Sequence, residues 1–135
     1  MKTPPVDMLV AAKAVLPNAY TPYSHFQVAA VLRAENGKLF SGCNVENASF
    51  SLTLCAEAVA MGTLIAQGCK KITEVLVLVP GHKICSLCGA CRQRLLECAS
   101  PETIIHLCTT EGNYQQTTLA ELLPHAFGPK NLEEK

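Results

Sequence analysis

Two cysteine-bearing stretches, Leu54-Cys55-Ala56-Glu57-Ala58 and Leu87-Cys88-Gly89-Ala90-Cys91-Arg92-Gln93, constrain this chain more than any other feature. Three thiolates suit zinc and leave one tetrahedral position for a water molecule. Cys55, Cys88 and Cys91 can share an ion only if the fold carries two distant segments to one point. Each stretch also opens a run that reads as a helix. A thiol at a helix start is partly stabilised as thiolate by the free N–H groups and the dipole there. Glu57 follows Cys55 by two residues, so on helical geometry it points about 200° away from the cysteine. It can therefore reach a metal-bound water from another side and carry that water's proton to a leaving group. The reaction class this implies is hydrolysis at an electrophilic carbon.

The eight cysteines read as reduced thiols rather than four disulfides. Met1-Lys2-Thr3-Pro4-Pro5 begins no apolar run of export-signal length, and a cytoplasmic setting is expected. No stretch approaches the ~20 apolar residues of a membrane span. Lys plus Arg and Asp plus Glu are 11 each, so the chain has no net field to gather a polyanion. A small uncharged substrate fits better than a nucleic acid polymer. Cys43, Cys69, Cys98 and Cys108 read as small hydrophobes or inert thiols. His25, His82, His106 and His125 lack ligand spacing and read as non-ligands.

Along the chain, Thr3-Pro4-Pro5 predicts a helix start, with Val6, Leu9, Val10 and Leu16 as its apolar positions and a stop at Pro17-Asn18. Phe26 to Leu32 and Leu39 to Val45 read as strands joined by a turn at Asn36-Gly37. Cys55 to Gln67 is apolar on nearly every side and predicts a centrally packed helix ending at Gly68. Ile72 to Val79 predicts a central strand. A helix over Cys91 to Cys98, a strand over Thr103 to Cys108, a return over Tyr114 to Thr118 and a short helix over Leu119 to Leu123 follow. The tail from Lys130 to Lys135 reads as frayed. Such alternation predicts an α/β layered domain with helices on both sheet faces.

The two cysteine stretches also resemble the signatures of the small tetrameric zinc-dependent cytidine deaminases, within the cytidine/deoxycytidylate deaminase superfamily. Pro22-Tyr23-Ser24-His25-Phe26-Gln27-Val28 resembles that family's N-terminal pocket segment. Asn44-Val45-Glu46-Asn47-Ala48-Ser49 resembles its ribose segment, and Leu123-Pro124-His125-Ala126-Phe127-Gly128-Pro129 its C-terminal one. The resemblance implies one α/β/α three-layer domain over residues 1–135, with a mixed sheet of about five strands. It implies one Zn²⁺ per chain on Cys55, Cys88 and Cys91, with Glu57 as the catalytic proton shuttle. Asn44 and Glu46 would bond the ribose hydroxyls, the Ala56 backbone would contact the base, and Phe26 would line the pocket. Phe127 would reach a neighbouring subunit's site in a homotetramer. The implied activity is hydrolytic deamination of cytidine, and of deoxycytidine, to the uridine nucleoside and ammonia in pyrimidine salvage. The partner is then a small nucleoside, with neither a nucleic acid polymer nor a membrane.

Three positions depart from the family pattern. Many tetrameric relatives carry Arg directly after the catalytic Glu, where it bonds the thiolates; here that residue is Ala58. Arg92 is the nearest replacement in sequence. Leu87 stands where Pro is usual, and Phe50 where Tyr is common. Two other readings stay open. One is a deaminase of a cytosine-containing antibiotic. The other is a non-catalytic zinc protein whose site is closed by a fourth cysteine, Cys85.

Overall fold

The computed structural model describes residues 2–133. Helix α1 (Val6–Val15) leads through a short 3-10 turn (Leu16–Asn18) to strand β1 (Ala29–Ala34). Then come β2 (Leu39–Cys43), α2 (Ala56–Ala66), β3 (Ile72–Val79), α3 (Gly89–Leu96), β4 (Ile104–Thr109), β5 (Tyr114–Thr118), α4 (Leu119–Leu122) and α5 (Lys130–Glu133). The strands form one sheet in the order β2-β1-β3-β4-β5. Only β3 and β4 pair parallel; the other three neighbours are antiparallel. The sheet is thus mixed and five-stranded, with β3 central and nearly fully buried.

Alternation along the strands divides the core in two. Ala30, Leu32, Val75, Val77, Ile105 and Leu107 face α2 and α3, meeting Ala56, Ala60, Leu64, Cys91 and Leu95. Ala29, Val31, Leu76, Leu78 and Cys108 face α1 through Met8, Ala12 and Leu16. Helices therefore cover both faces. The α1 face differs from the one bulk hydrophobicity suggests: Val6 is 76% and Val10 62% exposed, while Met8 and Ala12 are buried. The small Ala12 lets the helix approach the sheet, and a count of large apolar residues overlooks it. Cys55 is the N-cap of α2 rather than its first residue. Phe26 to Val28 precede β1 as irregular chain, and Lys130 to Glu133 form a helical turn; Glu134 and Lys135 lie outside the described residues.

The hairpin turns at Gly37, whose φ of 84° suits glycine. Gly42 serves a different need. A Cβ there would lie 2.5 Å from the Ala60 nitrogen and 2.7 Å from the Ala56 oxygen, so β2 and the first turns of α2 touch backbone to backbone.

On the α1 face a polar chain crosses the sheet. Arg33 pairs with Asp7 of α1 and with Glu74 of β3, each at 2.9 Å. The other Glu74 oxygen lies 2.6 Å from Nε2 of His106, whose Nδ1 lies 2.7 Å from the Tyr114 hydroxyl. The Arg33 hydrogen bond holds the Asp7 carboxyl below its ordinary range. Burial alone would raise Glu74, but His106 and Arg33 outweigh it and hold its carboxyl low.

Two expectations follow. Gly42→Ala forces α2 off β2 and should lower stability by about 1–3 kcal/mol, seen as a lower urea midpoint. For the polar chain, depressed carboxylates stabilise the fold above the unfolded carboxyl pKa near ~4 and lose that contribution as pH falls through their folded values. The stability deficit of Arg33→Met should therefore be largest at neutral pH and shrink below pH ~4 in melting curves.

Candidate active site

β2 and β3 both run antiparallel to β1, and so parallel to each other. The helix after each strand returns across the same sheet face, so α2 and α3 begin at the same end of the sheet. That is why the two cysteine stretches meet. Cys55 caps α2 and Cys88 caps α3, with Cys91 in the first turn of α3.

The sulfurs of Cys55, Cys88 and Cys91 lie within 4.8 Å of one another, and those of Cys55 and Cys88 are 4.0 Å apart. A tetrahedral zinc with Zn–S bonds of ~2.3 Å needs sulfurs about 3.8 Å apart, so the trio fits the ion. Among the described residues these three form the metal-competent group, and Cys85 and the histidines stand outside it. A fourth thiol therefore does not close the site. All eight cysteines are free.

Burial and the negative Glu57 push the Cys91 thiol well up, and burial with the Cys88 thiol raises Cys55 against the opposing hydrogen bond of Cys91. Burial would raise Cys88 too, but the Cys91 N–H, 3.4 Å from its sulfur, and the adjoining thiols hold it below its ordinary value. Three clustered thiols resist ionising together without a cation, so loading a metal displaces protons.

Glu57 is only 5% exposed. Burial pushes its carboxyl above the usual range, while a backbone hydrogen bond, Cys91 and the positive Arg94 pull partly back. A raised carboxyl beside a metal site accepts a proton more readily than an exposed one, as a proton carrier must.

Glu57, Cys55, Cys88 and Ala56 open onto a cavity of about 210 Å³ that Phe26, Asn44 and Val28 also line. Phe26, Asn44 and Ala56 thus sit where the sequence reading expects a pocket. Asn44 also braces that wall, its Oδ1 accepting from Val28 N and its Nδ2 donating to Phe26 O. Glu46 is not in the cavity wall. Its carboxylate accepts from Tyr23 N, Ser24 N and the Ser24 hydroxyl, which hold it below the ordinary range against burial. Phe127 lies away from its own chain's cavity, 59% exposed, with its carbonyl bonded to Gln93 at 2.7 Å. A larger groove of about 700 Å³ near Pro124 and His125 contains none of the trio and no Glu57.

Arg92 does not touch the thiols. Its guanidinium bonds Leu87 O at 2.9 Å, Leu122 O at 2.8 Å and the Ser86 hydroxyl at 3.1 Å, clamping the loop before Cys88 to the end of α4. Arg94 instead reaches the trio, with Nη1 3.5 Å from the Cys91 sulfur. The sequence signal for it was the helical i, i+3 spacing from Cys91, which places both residues on one face. Leu87 is buried in the core. Phe50 makes an edge contact with Tyr23, centroids 6.0 Å apart.

A thiol trio at paired helix starts, with a buried carboxylate and an open cavity, defines a metal-dependent hydrolytic enzyme. The family profile described as the cytidine and deoxycytidylate deaminase zinc-binding region matches residues 5–107. A cytidine deaminase of Sporosarcina psychrophila is 38% identical over 128 residues, 94% of each chain. One from Mycobacterium tuberculosis is 40% identical over 115 residues, 84% of this chain and 82% of the relative. The crystal structure of the Burkholderia pseudomallei cytidine deaminase superposes with a TM-score of 0.86 at 38% identity, covering 93% of this chain and all of that one. This chain belongs to the cytidine and deoxycytidylate deaminase family; it is a zinc-dependent deaminase with one zinc per chain.

Arg92→Gln should loosen the loop that presents Cys88, lowering stability by about 1–3 kcal/mol in thermal or urea unfolding. A variant as stable as the wild type would mean the three contacts do not hold the loop.

Proposed function

We propose that this deaminase converts cytidine and deoxycytidine to the uridine nucleosides and ammonia, as a step of pyrimidine salvage in the cytoplasm. The observation that carries the reading is the buried Glu57 beside three thiols, at a cavity that Phe26 and Asn44 also line. Cys55, Cys88 and Cys91 are the ligands, within one deaminase domain over residues 1–135. The ion, when bound, supplies a water acidified enough to attack the base.

Glu57 does the proton work. It takes a proton from the attacking water and gives it to the pyrimidine ring nitrogen. It then delivers a second proton to the amino group as the carbon–nitrogen bond breaks and ammonia leaves. Water supplies the oxygen and both protons, so the reaction balances. The Ala56 backbone, beside Glu57 in the cavity wall, positions the base, and Phe26 covers it.

Asn44 and Glu46 take the sugar hydroxyls. An ionised carboxylate has about four acceptor sites. Tyr23, Ser24 N and the Ser24 hydroxyl fill three on Glu46, leaving capacity for one sugar O–H. Asn44 likewise keeps one N–H and one lone pair beyond its two backbone bonds.

The working unit of this reading is a homotetramer. Tyr20, Tyr23, Phe50, Leu52, Leu54 and Phe127 are exposed on the single chain, which supports their burial between subunits. Phe127, turned from its own cavity, then completes a neighbour's. Among the described residues no helix is long and apolar enough to cross a membrane.

Zinc-loaded protein should release ammonia from cytidine and deoxycytidine, and Glu57→Gln should lose that turnover by at least ~10²-fold with zinc still bound. A zinc-loaded wild type that releases no ammonia from either nucleoside would overturn the reading.

A further inference from the structure

The charge at the metal site does not close on the sulfurs alone. Three thiolates around a divalent ion leave a net charge near −1, and Glu57 adds a second negative charge whenever it gives up its proton. The N-terminal dipole ends of α2 and α3 offset part of this, each equivalent to about half a charge. When Glu57 is ionised, what remains is about one negative charge, which a full cation would balance. Position 58, beside Glu57 on α2, is alanine and has nothing to donate.

Arg94 meets the need from α3. Helical side chains lean toward the N-terminus and over the residue three or four positions earlier. Its stem therefore runs back along α3 to Cys91, where Nη1 lies 3.5 Å from the sulfur. Among the described residues, no other Arg or Lys side chain donates to a sulfur of the trio; Arg92 spends its guanidinium on Leu87, Ser86 and Leu122. A planar guanidinium keeps its charge at every working pH and can hold a thiolate while its remaining N–H groups stay in water.

We propose that Arg94 is the charge-balancing residue of this zinc site. It donates to the Cys91 thiolate, draws electron density from it, and so strengthens the ion's pull on the bound water. It is a positioning residue, acting through Cys91 without touching substrate. The inference rests on zinc binding by the trio, and its first readout does not require turnover.

The test compares wild type with Arg94→Gln, Arg94→Lys and the double variant Ala58→Arg/Arg94→Gln. Zinc release to a chromophoric chelator should be about two- to fivefold faster for Arg94→Gln, the scale of an exposed charge interaction. The sulfur-to-metal charge-transfer band of the cobalt-substituted protein should move as well, a shift that loss of packing alone would not produce. The kcat profile of Arg94→Gln should shift its acidic limb to higher pH. Arg94→Lys should restore most of the zinc retention, and so should Ala58→Arg in the Arg94→Gln background, from a different helix. Release rate and cobalt spectrum unchanged in Arg94→Gln would overturn the proposal. Equal impairment in Gln and Lys variants would overturn it too, by assigning Arg94 a packing role. If cytidine is not a substrate but these metal readouts respond, the substrate reading fails and this one stands.

Discussion

The site depends on a constraint of strand direction. Because β1 lies between β2 and β3 and opposes both, the two flanking strands point the same way. Helices α2 and α3 must then start at one end of the sheet on one face, with their N-terminal N–H groups converging. Ligands in α/β folds gather outside the carboxyl ends of parallel strands for this reason. Here the convergence is tight enough to set three sulfurs within 4.8 Å. Gly42 maintains it, since only a missing Cβ lets the first turns of α2 rest against the β2 backbone.

The two faces of the sheet treat ionisable groups in opposite ways. On the α1 face, Asp7, Arg33, Glu74, His106 and Tyr114 form a chain in which each charged or polar group has a partner. Arg33 and Glu74 are pushed toward their charged forms by that pairing. On the α2–α3 face, negative groups crowd together: Glu57 and the Cys55 and Cys91 thiols are all driven toward their neutral forms. A cluster held away from its charged state is costly to a fold and useful to a catalyst. A divalent cation reverses that cost, and metal affinity and proton handling come from the same arrangement.

Much of this was legible in the sequence, and the misses have physical causes. The thiol spacing, the Asn36-Gly37 turn and the apolar run of β3 are local signals, and each element forms where they point. On α1, Leu9 and Leu16 pack on the sheet as read, but Val6 and Val10 are exposed and Met8 with the small Ala12 fills their place. Arg92 was the nearer cation in sequence, but one helical step turns it to the other side of α3, where Leu122 and the Ser86–Leu87 loop receive it. Position 94 shares the face of Cys91. Gly42 gave no local signal at all, because its role is set by a helix that begins well downstream.

The two ends of the cavity are built from different material. The sulfur end sits on capped helix starts over the central strand, where displacement would disturb the core. Phe26 and Asn44 in the lining belong to loops: Tyr20 bridges to Val45, Val45 bridges to Leu54, and Asn44 and Glu46 tie the segment from Tyr23 to Val28. His25, within that segment, has a φ of 59°, uncommon for a side chain with a Cβ, so the tethers hold the backbone where it would not settle alone. The thiol trio and Glu57 are thus fixed by sheet topology, whereas the loop lining depends on a few side-chain hydrogen bonds. Substitutions in the tethers can therefore reshape the loop lining and leave the thiol end untouched.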